Sequence, residues 1–293
     1  MSVALVGAGP GDPGLITVKG LAYVREADVL VYDRLVSPEL VAESDGIMIE
    51  RDRLSQEQVN ELLVELGRDS FVVRLKGGDP LLFGRGGEEA LALADADVPF
   101  EIVPGVSSLA SVPGSVGIPV THRGLSSAVT AFAAHDVEAL DAAALARVPG
   151  TLVAFMGGAN ARRLAQRLIE HGKPASTPAA VISRGTTDDE HVVVSPLGAL
   201  EDAVATPALV VVGDVVAVRE ALQSGGRRGA PRSREIPRAV SSTAAATAGR
   251  RFRRRSRSFG PATPTAPIAS VLRSKIGAAT LASPRSASSR STA

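Results

Sequence analysis

Short β-branched runs alternate with helical segments along most of this chain, and that alternation restricts its fold more than any other feature. Val3–Val6, Val29–Tyr32, Ile47–Ile49, Phe71–Leu75 and Glu101–Val103 read as strands. Between them, Thr17–Glu26, Pro38–Glu43, Ser55–Leu66 and Gly87–Asp95 read as helices. Strand and helix in turn imply a parallel sheet with crossover helices. The third helix carries a start signal, because Ser55 with Gln58 three residues on is a capping-box pattern. Its apolar residues Val59, Leu62, Leu63 and Leu66 recur at helical spacing. The pattern breaks near 114–119, and a second series follows. Its strands are Val129–Ala133, Thr151–Phe155, Ala179–Ile182, His191–Val194 and Ala208–Val212, and its helices Asp141–Arg147, Ala159–His171 and Leu197–Ala203. The fold class is therefore α/β, with an N-terminal lobe over 1–116, a C-terminal lobe over 117–222 and a ligand cleft between them.

Charge divides the chain at the same place as composition. From Gln223 onward there are 15 Lys and Arg and one acid, Glu235, of 32 basic and 31 acidic residues in the whole. Residues 1–222 therefore carry 17 basic and 30 acidic side chains, a net of −13 against +14 beyond them. The whole-chain net of +1 hides this split and says nothing about partners. Gly, Pro, Ser, Ala, Thr and Arg dominate 223–293, too little apolar surface to offset the entropy of ordering, so this tail is expected to be disordered. Its run Arg250–Arg255 is capable of nonspecific nucleic-acid binding; a solvated extension without function is the simpler alternative.

With no cysteine there is no disulfide, thiolate nucleophile or Cys-ligated zinc, and the four histidines lack metal-site spacing, so no metal is expected. Residues 3–6 run straight into a glycine loop, which leaves no room for a signal peptide. No apolar stretch approaches the roughly 18–20 residues of a membrane span. The expectation is a cytoplasmic protein.

Chemistry concentrates where strands give way to helices, which in open α/β sheets is where ligands sit. The longest such crossover, 74–89, holds five glycines, two arginines, a lysine and the lone Asp79. Lys76 and Arg85 there are candidates for anions, whereas Glu88 and Glu89 suit the positive end of the following helix. Gly7–Gly14 follows the first strand, but a dinucleotide fingerprint needs glycine at its sixth place and Asp12 stands there, which counts against a nicotinamide site. Asp33, at the end of the second strand, is placed to act as a general base or to hold a cation; a loop pair with Arg34 or a helix cap is the alternative. Ser107 and Ser108 follow Pro104-Gly105-Val106, for hydrogen bonding or simple capping. His122 and Arg123 lie at the lobe junction as carboxylate binders. Phe155-Met156-Gly157 and Ser183-Arg184-Gly185-Thr186 follow strands of the second lobe.

Together these pieces resemble the tetrapyrrole methylase family, and within it the branch acting on uroporphyrinogen III. The matching text is GAGPGDPGLIT at 7–17, VYDRLVS at 31–37, RLKGGDPLLFGRGGEEA at 74–90, VPGVSS at 103–108, GIPVTHRG at 117–124, FMG at 155–157 and RGT at 184–186. The resemblance covers roughly 2–222 and implies two α/β lobes, usually in a homodimer, with S-adenosyl-L-methionine between them as methyl donor. It implies methylation of uroporphyrinogen III at C2 and C7 to give precorrin-2. Carried over by position, the cofactor contacts fall on Pro10, Gly77, Gly78, Asp79, Leu82, Ser107, Ser108, Met156 and Gly185, and the base on Asp33. An octacarboxylate substrate would call on Arg34, Arg85, His122, Arg123 and Arg184. One departure stands out. The family's lysine-bearing segment after the third strand is shortened here to 47–55, with no lysine and with Arg51 nearest in register. A methylase of a later corrin intermediate, or a cofactor-binding relative impaired in catalysis, remains an alternative.

Overall fold

The computed structural model describes residues 1–225. The first lobe is a five-stranded sheet of β1 (Ser2–Gly7), β2 (Val29–Tyr32), β3 (Ile47–Glu50), β4 (Phe71–Lys76) and β5 (Phe100–Val103). Its order is β3-β2-β4-β1-β5, and every pairing is parallel. The connecting helices are α1 (Val18–Glu26), α2 (Pro38–Val41), α3 (Gln56–Gly67) and α4 (Gly86–Asp95). Side chains alternate across the sheet. Val3, Leu5, Val29, Val31 and Val72 pack with Leu62, Leu63 and Leu93 of α3 and α4. Ala4, Val6, Leu30, Val73 and Leu75 pack with Leu21 and Val24 of α1 and Leu40 of α2.

That arrangement makes a topological switch point. β1 and β4 are neighbours, yet the crossover from β1 leads to α1 on one face and the crossover from β4 leads to α4 on the other. Loops that part in this way leave a crevice above the carboxyl ends of the two strands.

α5 (Ser108–Ser115) leads towards the second lobe, which contains β6 (Val129–Ala133), α6 (Ala142–Arg147), β7 (Thr151–Phe155), α7 (Ala161–Glu170), β8 (Pro178–Ser183), β9 (His191–Pro196), β10 (Ala208–Val212) and α8 (Val218–Gly225). Its sheet order is β6-β7-β10-β8-β9. Only β6–β7 is parallel; the pairs of β10 with β7, β10 with β8 and β8 with β9 are antiparallel. The second lobe therefore departs from the alternating pattern that shapes the first.

Most expected elements are present with their ends moved by a residue or two. The capping box at Ser55 is complete, with Gln58 reaching back to the Ser55 amide. The expected helix Leu197–Ala203 is a correction: only a 3-10 turn, Leu197–Ala199, forms. Tertiary packing overrides helix propensity there. Leu197 and Leu200 are both buried in the second core, which an extended Leu200 allows, and the Ala203 amide donates to the Gly158 carbonyl at 2.8 Å. α8 runs across residue 222, and the basic segment with its expected disorder lies outside the described residues from 226 onward. Among the described residues no helix is long and apolar enough to cross a membrane, and no group of His, Asp and Glu is placed to hold a metal ion.

Candidate functional site

Three crossovers of the first lobe meet above β1, β4 and β5. Gly9 and Gly78 exchange backbone hydrogen bonds of 3.2 and 2.7 Å, and the Ala8 amide donates to the Lys76 carbonyl at 2.7 Å. The Asp79 carboxylate then ties the third loop in: Oδ2 accepts from the Gly105 amide at 3.0 Å and Oδ1 from the Leu81 amide at 2.9 Å. The junction admits no side chain at Gly105, because a Cβ there would lie 2.2 Å from the Gly78 carbonyl oxygen and 2.7 Å from the Gly7 Cα. Ser107 caps α5 by accepting from the Leu109 amide, and Ser108 opens that helix facing Gly78. Gly77 faces Leu35, which brings the loop after β2 to the same place. Gly77, Gly78, Asp79 and Ser108 thus meet at one junction, with Ser107 at the adjoining helix cap and Pro10 next to Gly9 in the chain.

The second lobe closes on this crevice through two loops. The Asp12 amide donates to Thr186 Oγ1 at 3.2 Å, and the Thr186 amide donates to Glu190 at 2.8 Å. Gly185 lies so close to α5 that a Cβ would meet Val112 Cγ1 at 2.4 Å. On the other side, Phe83 of the β4–α4 crossover packs against Phe155 at the end of β7, with ring centroids 4.7 Å apart and the planes tilted by 45°. Leu82 and Met156 are the neighbours of these two rings, and Met156 is half exposed. The backbone is strained here. Phe83, Arg85, Met156, Arg184 and Thr186 all have φ between 47° and 69°, a region that L side chains seldom occupy. Such residues gather at ligand sites, where the surrounding structure holds them in place.

A group of charges missing from the sequence-based site lies under the crevice floor. Arg74 and Lys76 are two apart on β4, so they share the face covered by α3 and α4, where Glu89 of α4 is completely buried. Glu89 Oε1 accepts from Arg74 Nε at 3.0 Å, from Lys76 Nζ at 2.8 Å and from Gln56 Nε2 at 3.4 Å. Arg74 Nη2 also donates to Asp33 Oδ1 at 2.5 Å. Burial, then the Arg74 charge, pushes the Lys76 ammonium below its ordinary value. These contacts correct two expectations. Lys76 is no anion contact, since it is sealed against Glu89, and Glu89 answers this buried pair of cations rather than the helix end alone. A signal was present in the sequence: two cations at i and i+2 in an otherwise apolar strand, with a carboxylate in the next helix.

The candidate carboxylate binders are less concentrated. Arg34 is exposed and pairs with Asp52 at 2.8 Å, so the alternative of an Asp33–Arg34 loop pair does not occur. Arg85 pairs with Glu88 at 2.7 Å, and its hydrogen bonds hold that carboxyl below the usual range. Arg184 pairs with Asp189 at 2.7 Å. His122 and Arg123 belong to a turn, 121–127, that lines an open cavity of about 620 Å³. His122 Nδ1 lies 2.8 Å from the Arg123 carbonyl oxygen, and the described hydrogen bonds do not join this turn to the crevice. In place of the family's lysine segment, Arg51 turns inward and donates from Nη2 to Gln56 Oε1 at 3.4 Å.

Two α/β lobes that meet beside a switch-point crevice of backbone, hydroxyl and apolar residues define the class: a two-lobed α/β protein with a candidate small-ligand site at the carboxyl ends of its first sheet. The particular family follows from likeness. A family model described as Tetrapyrrole (Corrin/Porphyrin) Methylases matches residues 2–201, and the chain belongs to that family and is a methyltransferase. It is 46% identical over 229 residues to siroheme synthase 1 of Yersinia enterocolitica, covering 73% of this chain and 48% of that protein. It is 45% identical over 241 residues to the siroheme synthase of Sodalis glossinidius, covering 77% and 51%. The chain thus spans about half the length of these curated relatives. Among solved structures, uroporphyrin-III C-methyl transferase from Thermus thermophilus, complexed with S-adenyl homocysteine, is 41% identical with a TM-score of 0.66, covering 74% of this chain and 100% of that one. A cobalt precorrin-4 methyltransferase is 29% identical with a TM-score of 0.68, covering 73% and 95%.

Proposed function

We propose that the chain transfers methyl groups from S-adenosyl-L-methionine to uroporphyrinogen III at C2 and C7, giving precorrin-2 for sirohaem and cobalamin synthesis. The observation that carries this reading is the crevice itself. Gly77–Asp79, Ser107 and Ser108 converge there with Gly185 of the other lobe, around a floor of backbone. The donor is a zwitterion with an apolar thioether and a flat base. Backbone groups, two hydroxyls and the apolar Leu82 and Met156 suit it, with Pro10 at the rim. It brings an electrophilic methyl carbon on a sulfonium. The chain brings position, which is worth most in a transfer needing in-line approach. Asp79 serves by bracing the floor, since both its oxygens already accept from backbone amides.

Asp33 is the proton acceptor on this reading, because methylation at a pyrrole carbon releases a proton from the tetrapyrrole. Arg34, Arg85, Arg184, His122 and Arg123 meet the substrate's carboxylates. Each of the three paired arginines holds an exposed acid that solvent already screens, so exchanging it for a substrate carboxylate costs little. A later corrin intermediate is the second candidate, and the higher identity to the uroporphyrin-III enzyme favours the first. The reading extends to a homodimer, which sedimentation of the full chain tests directly.

Anaerobic incubation with uroporphyrinogen III and methyl-labelled donor is the test. The expected product carries two labelled methyl groups. Tight S-adenosyl-homocysteine binding without transfer would overturn the reading and favour a relative impaired through its shortened 47–55 segment.

A further inference from the structure

We infer that Arg74 is a positioning residue for this reaction: anchored by Glu89, it fixes the carboxylate of Asp33 where that carboxylate reaches the crevice. The inference rests on the reading of Asp33 as proton acceptor.

Four charges form the cluster: Arg74 and Lys76 against Glu89 and Asp33. Three are sealed, with side chains 1%, 2% and 0% exposed for Arg74, Lys76 and Glu89, whereas Asp33 is 25% exposed. Of these four charges, Asp33 is the one that meets the outside. Every donor nitrogen of the Arg74 guanidinium is used. Nε binds Glu89, Nη1 donates to the Leu75 carbonyl at 3.2 Å, and Nη2 binds Asp33. A planar fork held at three points cannot rotate, so the Asp33 oxygen it holds is fixed too. The backbone adds to this, since the Asp33 amide donates to the Leu75 carbonyl at 3.2 Å.

Stability alone does not account for such a cluster. Buried ion pairs rarely repay their desolvation, and apolar side chains of similar size often serve as well or better. The surroundings here are apolar, with Leu62, Leu63 and Leu93 on the covering helices. Charge balance points to Asp33 instead. Two sealed cations face one sealed carboxylate, and Asp33 supplies the second. Gln56 extends the network from Glu89 to Arg51, so the residue nearest in register to the absent lysine is wired to the Glu89 carboxylate.

A double-mutant cycle in the full chain tests this. Replacing Arg74→Met together with Glu89→Gln removes one cation and one anion, leaving the cluster balanced. In the native background we expect kcat for the first methyl transfer to fall about 100-fold, the lower end of what a positioned base contributes. KM for uroporphyrinogen III and Kd for S-adenosyl-homocysteine should stay within about twofold. In an Asp33→Asn background the same pair should cost almost nothing further, because the group it positions is already gone. Equal losses in both backgrounds would show a structural role and overturn the inference while leaving Asp33 as acceptor. Native activity in Asp33→Asn alone would overturn both. The single change Arg74→Lys guards against misfolding, since it keeps the charge without the fork. It should bind S-adenosyl-homocysteine normally with kcat about tenfold down, and native kcat in that variant sinks the inference.

Discussion

Arg74, Lys76 and Glu89 show where a sequence reading stops at the residue scale. Their identities are plain in the chain, and the two-residue spacing puts both cations on one face of β4, but which helix covers that face depends on the topology. The same gap separates Asp79 as a candidate ligand from Asp79 as the brace between two loops: its partner, the Gly105 amide, is 26 residues away. Lys76 provides a pH test. Its folded pKa is lowered by burial first and by Arg74 second, below the unfolded 10.5. The unfolded chain then binds more protons between those two values, and stability rises with pH across that window. The contribution is complete above 10.5 and is lost as pH falls through the folded value. Urea midpoints of the native protein, compared with Lys76→Met from neutral pH upward, should diverge in the native protein's favour over that range; parallel curves contradict the assignment. Gly105→Ala is the steric counterpart. A Cβ 2.2 Å from the Gly78 carbonyl has no flexible neighbour to displace. It should cost about 1–3 kcal/mol or more, measured by chemical denaturation, and weaken S-adenosyl-homocysteine binding because the crevice floor must shift.

At the scale of elements, period and punctuation carry most of the information. The strands of both sheets and the start of α3 follow from β-branched runs and from Ser55 with Gln58. What periodicity does not encode is direction, since an apolar strand looks the same in a parallel or an antiparallel sheet. For β8 and β9 the antiparallel pairing can be traced to their loop: Arg184–Glu190 is shorter than the dozen or so residues a parallel crossover needs. The false helix at Leu197–Ala203 had suitable propensity and lost to the burial of Leu197 and Leu200. Where an element is governed by its own cap, the energetics are local. Ser55→Ala removes the acceptor for the Gln58 amide at 3.3 Å. It should lower unfolding free energy by about 1 kcal/mol with kcat unchanged. A fall in kcat of more than twofold would mean that the start of α3 governs Gln56 and the charge cluster as well as stability.

At the scale of the whole molecule, each lobe has its own buried cluster, and a further cluster packs α5 residues Val112 and Val116 against the second sheet. Beside the crevice the lobes meet at a polar contact, Asp12 with Thr186, and an aromatic one, Phe83 with Phe155, while α5 adds the apolar joint of Val112 and Val116 against Ile182 and Val211. The polar and aromatic joints are a test of whether the donor sits between the lobes or on the first lobe alone. Thr186→Val keeps the volume and removes the hydroxyl that accepts from the Asp12 amide. Thr186 is nearly buried, so the amide loses its partner, at about 1 kcal/mol. If the donor bridges the lobes, that loss appears in binding, and the Kd for S-adenosyl-homocysteine should rise about fivefold by titration calorimetry. Phe83→Ala should act in the same direction from the opposite side. Because the two joints are separate and each touches the ligand's surroundings, their effects on binding should add. Unchanged affinity in both variants would place the donor wholly on the first lobe. Gly185 and Met156 would then serve only to close the lobes, and the crevice would owe its selectivity to the loops after β1, β4 and β5.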